Sequence, residues 1–404
     1  MEKFSATGWI VILILSLLTA LEPLSIDLYL PGFLLISDAL NTTTANVQIS
    51  LSTFLGGFAI GQLFWGPFAD KFGRKKPILL SLAIFIAASI ACMYVKTIEQ
   101  LWVVRIIQAI GGCGGIVISR AVVTDYFDKN QTLKIFSLLA LIMGVAPIIA
   151  PVIGNGVLHF FSWKGLFGAM AALGILMFLL TVFFLPETHK KVTPSVGSNI
   201  LKGYLDILKV RKFVIYSLIA GIANGALMIY VANGPFLIME KGGFTGSMFG
   251  VVFATNAFGL MVSSYLTSVL QKYIPVNKLV RIAVLFMVVV SVIMLILMYT
   301  QANIYFILGT LFFYVFPIGI LFPATTELAI TPFTENSGTA SALFGSIQLL
   351  TAFICSIVSS AVSDGTLLTV GIAFLLCPLV AFATLFLRID TEKKYVTEKV
   401  RVSK

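Results

Sequence analysis

Charge is what this chain has least of: only 11% of its 404 residues are Asp, Glu, Lys or Arg, against roughly a quarter in soluble domains. Too little charge is present to solvate a globular surface, and a water-soluble protein is excluded. Histidine and cysteine are also scarce. His159 and His189 stand far apart at the edges of apolar runs, and Cys92, Cys113, Cys355 and Cys377 fall inside apolar stretches with no pair at zinc or redox spacing. The cysteines read as small hydrophobes, and no metal site is expected. No glycine-rich phosphate loop follows a strand pattern, so a membrane-embedded enzyme finds no support. A small-residue cleavage site is missing as well: the first apolar run continues through Leu21 into Glu22-Pro23 and reads as a membrane span.

What is present is apolar. Hydrophobic residues make up 59% of the chain, Phe alone numbers 34, and mean hydropathy is +1.03. A helix needs about 20 apolar residues to cross the hydrocarbon core. Runs of that length predict twelve transmembrane helices over 8–34, 45–68, 77–95, 99–124, 133–157, 163–185, 212–239, 246–271, 278–299, 301–327, 337–361 and 366–388. The longest polar connection follows the sixth, which predicts an all-α integral membrane protein: a six-helix bundle over 1–187, a linker over 188–211, a second six-helix bundle over 212–388, and a basic tail over 389–404. Two bundles around a central cavity are an arrangement that can open alternately to either side.

The net charge of +10 is explained by where the charges fall. With the first terminus placed in the cytoplasm, 22 of the Lys and Arg residues lie in loops or tails on that side and three, Lys96, Lys164 and Lys241, on the other. That bias predicts both termini in the cytoplasm, and nucleic acid is not needed as a partner.

Ionisable side chains within a span are costly and usually face a cavity or a partner. Four stand out: Glu22, Asp27, Arg105 and Arg120. Asp27 lies roughly 6 to 10 Å inside the outer end of the first span and Arg105 about 9 Å inside that of the fourth, so they match in depth and oppose in sign. Desolvation and neighbouring charge both act on a carboxyl's proton affinity. Asp27, Glu22 and Arg105 are therefore proton-coupling candidates, with a fixed Asp27–Arg105 pair as the structural alternative. Arg120, near a span end, can snorkel and suits gating. Pro31 removes the hydrogen bond to the carbonyl of Asp27, a break that serves either as a hinge or as a packing kink. Substrate contact is expected from Glu22 and Asp27 and from Tyr230, Asn233 and Asn256 in the seventh and eighth spans, among aromatic walls suited to amphipathic molecules. In the second half Glu327 is the chief remaining charge. Gly57-x-x-x-Gly61 and Gly111-x-x-x-Gly115 offer faces for close helix approach.

The segment from Gly61 to Pro77, with Asp70, Gly73, Arg74, Lys75 and Lys76, resembles the signature between the second and third spans of the major facilitator superfamily. Physically, Gly73 permits a tight reversal. Asp70 can sit against the positive end of a helix in the opposite bundle, with the one starting near Ser337-Gly338-Thr339 as candidate. Arg105-Ile-Ile-Gln108-Ala-Ile-Gly111 is similar to that superfamily's fourth-span motif, whose arginine is tied to proton movement; Ala109 replaces a usual glycine. Gly144-Val-Ala-Pro147-Ile-Ile-Ala150-Pro151-Val-Ile-Gly154 resembles the fifth-span antiporter motif, with Ala146 in place of a glycine, and makes Pro147, Pro151 and Gly154 conformational candidates. Pro23 to Pro31 around Asp27, Arg120-Ala-Val-Val-Thr-Asp125, Asn233-Gly-Pro-Phe236 and Gly338 to Ala342 together resemble the Bcr/CflA group of drug:proton antiporters from about Trp9 to Leu387. Glu22 departs from that group's pattern.

The resemblance implies a multidrug efflux transporter of a bacterial inner membrane. It would exchange amphipathic organic compounds for protons by alternating access, with the proton gradient as energy source and no cofactor. Small-molecule substrate, protons and the lipid bilayer are the expected partners, and a monomer the expected state. A dedicated exporter of a siderophore or an amino-acid derivative, a proton-symport importer, and a receptor remain as alternatives.

Overall fold

A computed structural model describes residues 6–127, 129–188, 200–333 and 337–386. The first span is α1 (Ala6–Asp27), a short 3-10 turn (Leu30–Gly32) and α2 (Phe33–Ala39). Spans two to six are α3 (Thr44–Phe72), α4 (Lys75–Cys92), α5 (Ile98–Tyr126), α6 (Lys129–Phe160) and α7 (Lys164–Phe184). The connection to the second half contains a short helix, α8 (Ile200–Leu208), that the sequence reading did not anticipate. Spans seven to twelve are α9 (Arg211–Pro235), continued by a π-turn (Phe236–Lys241), then α10 (Gly246–Leu270), α11 (Val276–Tyr299), α12 (Ile304–Ile330), α13 (Ser337–Val362) and α14 (Leu367–Thr384). Among the described residues eleven stretches are long and apolar enough to cross a membrane, and α6 contributes the shorter apolar stretch Val145–Phe160.

The helices gather into two bundles. In the first, α5 packs on α3 and α4, α4 on α7, and α1 on α5, α6 and α7; in the second, α9 packs on α13, α12 and α14, and α12 on α10 and α11. The bundles meet along two seams, α3 against α13 and α6 against α10. Tight packing within the first bundle relies on missing side chains. A Cβ on Gly57 would stand 2.5 Å from the carbonyl oxygen of Ile106, and one on Gly111 2.5 Å from the backbone nitrogen of Phe85. Without hydrophobic drive between helices in lipid, such close approach supplies the association through van der Waals contact.

Successive spans run antiparallel, so the basic loops around Lys71 to Lys76, Arg211-Lys212 and Lys272 to Arg281 share one end, the basic end. The opposite end is the far end. The two ends finish their helices differently. Five of the six spans starting at the far end are capped by their own side chains, α7 being the exception: Thr43, Thr97, Thr245 and Thr366 accept from the backbone N–H three residues on, and Asn303 from that of Tyr305. Each such cap satisfies one orphan donor. At the basic end α4 borrows its cap, because both oxygens of Glu187, just beyond α7, accept from the N–H groups of Arg74 (2.9 Å) and Lys75 (3.2 Å).

Candidate functional site

The first span breaks where its acid sits. α1 ends at Asp27, the chain turns through Leu28 and Tyr29, and Pro31 lies in the 3-10 turn that follows. Gly154 of α6 packs so closely on this break that a Cβ there would collide with the carbonyl of Leu28. The expected local break is thus present, and a small residue of the fifth span holds it.

Between the bundles lies a cavity of ≈ 490 Å³ walled by α1, α6, α9, α10 and α12. Its polar side chains are Glu22, Asp27, Tyr230 and Ser264; the remainder is apolar, with Met143, Met228 and Met261 from three helices and the rings of Phe253 and Phe322. Methionine is adaptable in shape, which suits a wall that accommodates more than one ligand. Glu22 and Asp27 lie about 7.5 Å apart along the helix axis, and their charges act on one another. Asp27 is buried, and among the described residues its carboxyl enters no ion pair. Glu22 is half-buried and lies within the field of Arg120, whose side chain is exposed. Pro147 also lines this cavity.

Arg105 is placed otherwise than its depth suggested. It is wholly buried, it does not line the cavity, and it makes no ion pair with Asp27. Its Nη1 donates to Gln108 Oε1 at 2.6 Å and its Nη2 to the carbonyl of Ser25 at 3.2 Å. The guanidinium lies over the rings of Phe54 (4.2 Å) and Tyr29 (4.8 Å), and Nε has no hydrogen-bond partner. The cation is held by the negative end of α1's dipole, a last-turn carbonyl and two aromatic faces in place of a carboxylate. Gln108 passes the contact on by donating to Ser89 Oγ at 2.7 Å. Arg105 therefore contacts the first span near Asp27 through the backbone carbonyl of Ser25.

At the basic end Arg74 joins Asp70 (2.6 Å, from Nη1) and Asp125 (2.8 Å, from Nε). Gly73 has φ +87°, and a Cβ on it would come within 2.8 Å of Glu187 Oε2, so this position needs glycine for both its turn and its neighbour. Asp70 finds its partner inside its own bundle. The expected contact with the helix start at Ser337-Gly338-Thr339 involves side chains outside the described residues.

Sequence reasoning missed the far-end seal. Thr44 Oγ1 donates to Glu240 Oε2 (3.0 Å), Gln48 Nε2 to Asn233 Oδ1 (3.5 Å), Ser360 Oγ to Gln48 Oε1 (3.5 Å) and Asn155 Nδ2 to Ser247 Oγ (3.2 Å), while Ser52 and Ser356 share a bond of 2.7 Å. These five bonds between the two bundles all lie in this half. Thr44, Gln48 and Ser52 recur every fourth residue on one face of α3, a polar stripe that was available as a signal. Asn233 belongs to this seal and does not line the cavity. Gln48→Ala is expected to raise, about tenfold for the loss of two hydrogen bonds, the rate at which a cysteine introduced at Ser356 reacts with a membrane-impermeant maleimide. An unchanged rate would show that these contacts do not hold the end shut.

Comparison with known proteins accords with this architecture. The chain is 33% identical to an MFS-type transporter, YdgK, of Bacillus subtilis (strain 168) over 85% of its length and 86% of that protein's. It is 30% identical to the bicyclomycin resistance protein homolog of Haemophilus influenzae over 88% and 90% of the two chains, and 31% identical to the multidrug resistance protein MdtL of Klebsiella pneumoniae (strain 342) over 82% and 83%. Among solved structures it superposes on a D-xylose–proton symporter with TM-score 0.76 at 14% identity, covering 93% and 97% of the two chains. A bacterial homologue of the human lysosomal transporter Spinster, in an inward-facing and occupied conformation, gives TM-score 0.75 at 15% identity, covering 95% and 97%. The resemblance drawn from the motifs is borne out. The model of the Major Facilitator Superfamily matches residues 15–356, and with two bundles around one cavity the chain belongs to that superfamily as a membrane transporter.

Proposed function

We propose that this transporter exports amphipathic organic compounds in exchange for protons. One observation carries the reading: one apolar cavity, walled by both bundles, holds two carboxyls and, among the described residues that line it, no basic side chain. A ligand in that cavity and a proton on Asp27 or Glu22 then compete for the same space and charge, and reciprocal linkage couples their fluxes. The names of the bicyclomycin resistance homologue and MdtL, and the Pro147, Pro151 and Gly154 motif, support export of foreign compounds over uptake.

In this reading the basic end is cytoplasmic, as are both termini, and the membrane is the inner membrane of a bacterium. Residues 1–187 and 212–388 act as two rocking units joined by the linker, with the far-end seal closed while the cavity loads from the basic side. Arg120 and the Asp70, Arg74 and Asp125 network set the gating of that side. The proton gradient supplies the energy, and the unit is a monomer.

The test is proton release from purified protein in proteoliposomes upon addition of neutral amphenicols, organic cations and siderophores. Release by several unrelated compounds is the expected result. Release by siderophores alone would replace the reading with a dedicated metabolite exporter, and no release by any would refute proton exchange.

A further inference from the structure

The wall of the cavity contributed by the second bundle is narrower in its chemistry than its apolar area suggests. Tyr230 of α9 is its polar group near the acids, and the ring stacks on Phe253 of α10 with centroids 5.5 Å apart and planes inclined by 21°. Behind the ring, outside the cavity lining, stands Asn256, itself buried. Its Nδ2 donates to the Tyr230 hydroxyl at 3.0 Å.

A phenol has one proton to donate and an oxygen that accepts. Asn256 occupies that oxygen as acceptor, and stacking on Phe253 limits how far the ring can turn. The proton is left for a partner in the cavity. A lone tyrosine would serve donors and acceptors alike; a tyrosine held in this way serves acceptors.

We infer that Asn256 is a specificity-positioning residue that fixes Tyr230 as a hydrogen-bond donor to the substrate, so that the cavity selects aromatic or amphipathic molecules bearing an acceptor, such as a carbonyl, beside their apolar body. The inference rests on the reading of this cavity as the site for organic substrates and deepens it.

The experiment measures binding of two probes of similar size and shape, benzophenone and diphenylamine, to the purified full-length transporter in lipid nanodiscs, corrected for partition into empty nanodiscs. Benzophenone presents an acceptor and diphenylamine an N–H donor. The wild-type protein is expected to favour benzophenone about fivefold, the worth of one net hydrogen bond. Tyr230→Phe should bring the ratio to about one by weakening benzophenone. Asn256→Leu should do so by tightening diphenylamine, since the hydroxyl oxygen is then free to accept. A structural role for Asn256 would weaken both probes alike and leave the ratio where it was, and that result overturns the inference. Equal binding of the two probes by the wild-type protein also overturns it while leaving the organic-substrate reading in place. Absence of binding by either probe in every variant overturns both.

Discussion

Asp27→Asn is expected to reduce proton-driven uphill export to the level of empty liposomes while leaving downhill substrate exchange in place. The reason lies in where the carboxyl sits. Asp27 is the last residue of α1 and lies in the cavity wall, immediately before the stretch that Gly154 grips at Leu28. A change of charge there acts at the joint between two helical segments, whereas Glu22 lies a turn and a half deeper in an unbroken helix and shares the field of Arg120. The asparagine keeps shape and polarity and removes the titration, so substrate can still cross without a proton. Flux measured with and without a pH gradient separates the two activities. Uphill transport retained by Asp27→Asn and lost in Glu22→Gln would transfer the coupling role to Glu22.

A large loss of stability is expected from Gly111→Leu. Its Cβ alone would press on the backbone nitrogen of Phe85 at 2.5 Å, and on the carbonyl oxygen of Ser81 at 2.9 Å, and backbone has no rotamer to escape into. Forcing α4 and α5 apart costs about 3 kcal/mol or more, at the upper end of overpacking penalties, and would loosen the helix pair that holds Gln108 on Ser89. Gly156 is the control, since nothing lies within 4 Å of a Cβ built there. Thermal unfolding of purified protein should place Gly111→Leu well below wild type and Gly156→Leu close to it. Equal melting of all three would mean that the close approach of α4 and α5 contributes little.

How much of this was legible beforehand follows from the physics of each feature. A membrane obliges each span to appear as an apolar run, so the helices and their two-bundle grouping could be read directly. The Gly73 turn was equally plain, because its conformation demands glycine. What it could not convey was its second reason, the Glu187 carboxylate brought from the end of α7 more than a hundred residues later. The fixed Asp27–Arg105 pair, the structural alternative, does not form, for a related cause. Counting rise per residue gives depth but no bearing around the bundle, and the guanidinium turned out to face Phe54, Tyr29 and the end of α1 in place of the Asp27 carboxyl. Its link to Gln108, one helical turn on, was within reach of the spacing alone. Asn233 shows how fine the margin is: it stands one turn from Tyr230 on α9, and that turn carries it from the cavity into the seal.

The two ends of the protein also differ in how they meet dissolved ions. At the far end all but one of the bonds between bundles join neutral amides and hydroxyls, the exception being Thr44 to Glu240. At the basic end the network is made of full charges, Arg74 with Asp70 and Asp125, beside the exposed carboxylate of Glu187. Mobile ions screen exposed charges that stand farther apart than a Debye length, about 8 Å at physiological ionic strength, act much less on partly buried pairs in contact, and leave neutral hydrogen bonds nearly untouched. Salt at the basic end therefore acts on the field of exposed cations such as Lys71 and Lys76 around the Arg74 network more than on its contact pairs, and at the far end it leaves the neutral bonds of the seal as they were.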